Sequence, residues 1–146
     1  MAAKMVKVYR VVGESGRGMY AGNLYYQSCY CKARDNLHPL AATTHRQPNP
    51  YHDAALRDKW QALDDTEYYF FGFATLYQLK RWICKQAWRQ AMHDNGGTIE
   101  VFEVPQEYTI RGDCQIVFKM VEARKVSNLR LDTLKAACDT TDHKGA

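Results

Sequence analysis

The stretch EYYFFGFATLYQLKRWI, residues 67–83, decides how this chain is read. Aromatic side chains at 68–71 and at 73 surround Gly72, and such residues favour a pleated strand. Residues 68–73 are apolar on both faces, which predicts a central strand buried on both sides. Gly72 inside it predicts a bulge or a close approach of backbone. Thr75 has the hydroxyl needed to accept a hydrogen bond from a free first-turn amide, so a helix is expected to start there. Asn95-Gly96-Gly97 supplies a left-handed stop. Between them the sequence predicts one helix of about five turns.

Set out at 100° per residue, that helix gathers Leu76, Leu79, Ile83, Ala87 and Ala91 into a buried stripe. Arg81, Lys85 and Arg89 follow at i, i+4 and i+8 on the opposite side, with Trp82 and Trp88 at its edges and Lys80 at the border. No acidic side chain occurs from residue 76 to residue 92. Like charges at i, i+4 cost roughly 0.2–0.5 kcal/mol per pair, and a Glu in their place would stabilise by about as much. One account is a solvated face whose charges pair with the acidic segment at 53–67. The other is a docking surface for a nucleic-acid backbone or an acidic protein patch, with tryptophans as stacking or anchoring groups. Arg81, Lys85, Arg89, Trp82 and Trp88 are the partner-binding residues this second account names.

Outward from this unit, residues 5–12 (MVKVYRVV) read as a strand and the glycines at 13, 16 and 18 as a turn. GESGRG lacks the lysine placement of a phosphate loop. Residues 36–53, with Pro39, Pro48 and Pro50, form a long irregular loop, a length that is often functional. Residues 53–66 read as a short acidic surface helix or turn. Residues 98–104 alternate as a strand ended by Pro105, and Gly112-Asp113 turns the chain into another strand at 115–121. Residues 127–137, with Leu129, Leu131 and Leu134, read as a short helix ahead of a frayed polar tail. The expected architecture is a single α+β domain over 1–126, a small mixed or antiparallel sheet packed against one long amphipathic helix, followed by a C-terminal short helix and tail over 127–146.

Composition bounds the function. The chain has 146 residues, 46% hydrophobic and 25% charged, with a formal charge of +4. That is one globular domain, too basic for a DNA mimic and compatible with a phosphate-bearing partner. No run reaches the roughly 18 apolar residues of a membrane span, and the N-terminus does not read as a secretory signal. Five cysteines, an odd number without framework spacing, read as reduced thiols in a cytoplasm. Cys29, Cys31, His38, His45 and His52 are zinc-ligand types, but their spacing matches no closed site, so neither a metal nor a cofactor is expected. The loop histidines could act as bases, yet no partner residue can be assigned to them, and no catalytic residue is named.

GMY, HP, YYFFGF with its basic helix and Trp82, IEVFEV and QIVF together resemble small accessory proteins of tailed bacteriophages across most of residues 5–121. The resemblance implies a phage-encoded protein used during infection, acting on host machinery or defence in the host cytoplasm, and it implies no reaction. The acid-free helix adds the expectation of a binding protein, not an enzyme, that engages a host protein or nucleoprotein complex. Val8-Tyr9-Arg10 and the strand–helix unit at 69–79 are similar to parts of the ADP-ribosyltransferase fold. That likeness implies a nucleotide site at Arg10, Tyr69 and Gln115. An amide at 115, where the family's glutamate would stand, can bond a ribose hydroxyl but supplies no negative charge, so it implies nucleotide binding more than transfer. A structural role in the virion is the third reading.

Overall fold

The computed structural model describes residues 4–14, 16, 18, 50–83 and 86–134. Its strands are β1 (Met5–Val12), β2 (Tyr69–Gly72), β3 (Thr98–Pro105), β4 (Thr109–Arg111), β5 (Ile116–Lys119) and β6 (Arg124–Leu129). Its helices are α1 (Ala54–Gln61), α2 (Leu76–Trp82) and α3 (Gln86–Asp94). The strands form two antiparallel three-stranded sheets, ordered β1-β3-β6 and β2-β5-β4. The two are joined where Tyr9 and Phe73 exchange backbone hydrogen bonds of 2.8 and 2.7 Å. Gly72 lets the chains meet there, since a Cβ on it would run into Val8 and the Tyr9 carbonyl.

Alternation along the strands divides the core into layers. Val11 on β1 and Ile99 on β3, paired in register, face α2 and α3 together with Leu76, Leu79, Ile83 and Met92. Val8 and Phe102, paired likewise, turn the other way and meet Ile116 and Phe118 of the second sheet. The Phe102 and Phe118 rings lie 5.8 Å apart. On the far side of that second sheet, Val117 packs against Leu56 and Trp60 of α1.

The strand at 69–72 is not central. It stands at the margin of its sheet, pairing within it with β5 alone, and Phe70 is exposed. The central strand is β5, whose Ile116, Val117 and Phe118 are all buried. Aromatic rings favour a half-covered position as readily as a buried one, and here α1 covers one face, with Trp60 against Tyr69 and Phe71. Residues 127–129, expected to open a helix, complete β6, while Leu131 and Leu134 enter the core. A register shift between Val101 and Phe102 accommodates β6 against β3.

Both ends of the predicted long helix are as expected. The Thr75 hydroxyl accepts from the Gln78 N–H at 3.0 Å, and Gly96, at φ 91°, closes α3 with the Gly97 N–H donating to the Met92 carbonyl at 2.7 Å. Between them the helix is interrupted at Ile83. The chain leaves helical geometry at Ile83 (φ −102°, ψ 73°) and restarts at Gln86. Residues 76, 79, 83 and 91 of the expected stripe are buried, but Ala87 is exposed and Trp88, Arg89 and Met92 turn inward as well. Arg89 was expected on the outer face and is 2% exposed. Its guanidinium donates to the Ile83 carbonyl at 2.6 Å and to the Gln86 side chain at 3.0 Å. A cation is thus placed on the free carbonyl end of α2, where the helix dipole favours it.

Candidate functional site

The described residues bring one concave, charged surface together beside α2. Its foundation is Asp53, which is buried although it is acidic. Its two carboxylate oxygens accept the backbone N–H groups of Asp113 and Cys114 at 2.8 and 2.9 Å, across 60 and 61 residues of chain. The Gly112 N–H donates to the Gln115 carbonyl at 2.7 Å, closing the β4–β5 turn. From the other side the Gln78 amide donates to the Gly112 and Asp113 carbonyls at 3.3 and 3.1 Å, while its oxygen accepts the Ala74 N–H at 2.8 Å. The turn is therefore held to α1 by one buried carboxylate and to α2 by one buried amide, and this satisfies its polar backbone.

Between the turn and α2 opens a cleft of about 620 Å³, lined by Tyr77, Gln78, Arg81 and Trp82 on one side and residues 111–114 on the other. Arg81 and Arg111 are exposed on opposite walls, and among the described residues neither forms an ion pair with a carboxylate. Three acidic residues of the segment at 53–67 are engaged elsewhere: Asp53 on the turn, Asp58 with Arg57, and Asp65 with Lys119 at 2.9 Å. The Arg81 guanidinium lies 5.8 Å from the Tyr77 ring centre. Burial pushes the Cys114 thiol up from its ordinary value; Asp53 and Asp113 add to the rise, and Arg81 opposes it. That thiol is consequently a poor nucleophile near neutrality. The arrangement is suited to receiving an anionic group between two guanidinium forks.

The residues named from sequence for partner binding do not form one stripe. Arg81 and the half-buried Trp82 line the cleft, Arg89 and Trp88 are core residues, and Lys85 lies outside the described residues. The nucleotide-site residues do not converge either. Arg10 donates to the Phe71 carbonyl at 2.9 Å and stacks on Phe70, and its pKa is lowered by burial against the opposing pull of Glu100. Tyr69 turns to the other side of β2, against Trp60, and Gln115 is fully buried. Cys29, Cys31, His38, His45 and the His52 side chain, with most of the proline-rich loop, lie outside the described residues. Sequence reasoning missed Asp53, Gln78, Arg111, Asp113 and Cys114. The Gly112-Asp113 turn was visible in the sequence, but nothing local announces that it packs beside α2.

No helix among the described residues is long and apolar enough to cross a membrane. No curated protein and no solved structure matches the chain, so the likeness to ADP-ribosyltransferases gains no support. A family model described as Bacteriophage T4 Y00F protein matches residues 4–132, nearly the whole of the 146-residue chain. The small phage accessory proteins that its strands and aromatic motifs resemble are thus the right company, and the chain belongs to the bacteriophage T4 Y00F protein family.

Proposed function

We propose that this phage accessory protein acts in the host cytoplasm by binding a host protein or nucleoprotein complex through the cleft beside α2, without catalysis. Arg81 and Trp82 are its contact residues on the helix, Arg111 faces them, and Lys85, outside the described residues, is kept on its sequence position alone. Interference with host defence is the role such binding would serve. The observation that supports the reading is the pair of exposed arginines, unmatched by carboxylates among the described residues, on opposing walls of an open cleft. Arg89 and Trp88 leave the proposal because both are buried.

Affinity capture from host lysate, wild type beside Arg81→Glu/Arg111→Glu, tests it. The expected result is a host complex retained by the wild type and lost by the double variant, with identical far-UV circular dichroism. Capture of the same complex by the double variant at moderate salt would sink the assignment of this surface.

A further inference from the structure

We infer that the occupant of the cleft is an extended, acidic peptide segment of a protein, held by Arg81 and Arg111 through its carboxylates and by the outer edge of β4 through its backbone. The inference rests on the binding role proposed above and names the chemistry of the partner.

The edge follows from register. Arg111 is opposite Ile116 and Ile110 opposite Val117, and the Gly112 N–H donates to the Gln115 carbonyl. Hydrogen-bonded and non-bonded pairs alternate along an antiparallel ladder, so residues 112 and 110 point their backbone groups at β5 while 111 and 109 point theirs away. The Thr109 N–H turns back to the Gln106 carbonyl. What remains on the open edge is the Thr109 carbonyl with the N–H and carbonyl of Arg111, none of them bonded among the described residues. This edge runs directly into the cleft, whose wall begins at Arg111. An extended peptide laid along β4 would meet those groups in strand fashion and bring alternate side chains to the guanidiniums.

Three features favour a peptide over nucleic acid. Main-chain pairing at a strand edge is available to a polypeptide and not to a sugar–phosphate backbone. Asp113 stands on the same wall and would repel a run of phosphates, whereas a peptide can offer it an amide or a basic side chain. Two arginines around one cleft match one or two discrete carboxylates, while nucleic-acid tracks rely on long rows of cations. The turn is already anchored by Asp53 and Gln78, so little ordering is needed before the peptide docks.

The test is selection of a displayed library of random ten-residue peptides on the immobilised protein. Peptides carrying Asp or Glu should be enriched, and the best of them should bind about tenfold or more weakly for each of Arg81→Glu and Arg111→Glu. Its binding should slow hydrogen exchange of the Arg111 N–H and leave that of Ile110, which already faces β5, unchanged. Enrichment of peptides without acidic residues, no enrichment at all, or equal affinity for a single-stranded oligothymidylate of matching charge would overturn the inference. The binding role would survive that failure if the captured host complex were lost on nuclease treatment yet still depended on Arg81 and Arg111.

Discussion

Helices α2 and α3 come from one stretch of sequence free of acidic side chains from 76 to 92, yet they use their arginines in opposite ways. Arg81 of α2 is exposed at a cleft, whereas Arg89 of α3 is buried and bonds the last carbonyl before the break. The acid-free composition thus has two causes. In α2 it leaves a cation without a carboxylate ion pair among the described residues, and in α3 it accompanies a cation whose partners include a backbone carbonyl and a glutamine. Charge content alone does not distinguish an exposed arginine at a cleft from a capping one. Burial and hydrogen bonding do.

The comparison can be broken most forcefully at the core. Leu79 of α2 and Met92 of α3 are both fully buried in the same cluster, so Leu79→Ala and Met92→Ala should each cost about 2–5 kcal/mol in urea unfolding. A near-zero loss for either would mean that helix is turned differently. Next comes Arg89→Ala, which strips the Ile83 carbonyl of a charged donor and should cost about 2–3 kcal/mol. Arg81→Ala, by contrast, should change stability by less than about 0.5 kcal/mol. Equal losses for the two arginines would erase the difference between their roles. Thr75→Ala should remove about 1 kcal/mol by uncapping α2, leaving α3 unaffected as judged by residue-resolved amide exchange. The smallest effect is chemical. Arg81 opposes the raised pKa of Cys114, so Arg81→Ala should slow alkylation of that thiol at pH 8, read by peptide mass spectrometry, while Arg89→Ala should not.

What could be read from sequence was whatever the chain settles within a few residues. The Thr75 cap, the Asn95-Gly96-Gly97 stop, the 76–79–83 stripe and the strand ended by Pro105 are all local devices, and each is in place. The break at Ile83 was invisible to periodicity, because Arg89 stabilises it from six positions downstream with a bond that no heptad or helical wheel encodes. Once the chain turns there, the phase of α3 shifts and brings residues 88, 89 and 92 inward. The aromatic strand was placed at the centre of a sheet on composition, but its neighbours are decided by Phe73 meeting Tyr9 and by α1 covering its other face. Half of the site was legible in Arg81 and Trp82. The other half depends on Asp53 reaching a turn some 60 residues away, and no local pattern signals such a contact.

The Tyr9–Phe73 pair has one more consequence. By bridging the two three-stranded sheets at one residue pair it sets β1 beside β2 and leaves β6 and β4 as the outer ends among the described residues. The β6 end is guarded: Arg124 and Lys125 stand on it, tied to Glu103 and Glu100 at 2.6 and 3.2 Å, and the irregularity against β3 spoils its regularity as a template. The β4 end carries Arg111, without an ion pair or a register shift among the described residues. A strand added at β4 would find only Thr109–Arg111 to pair with, a length that discourages edge-to-edge growth.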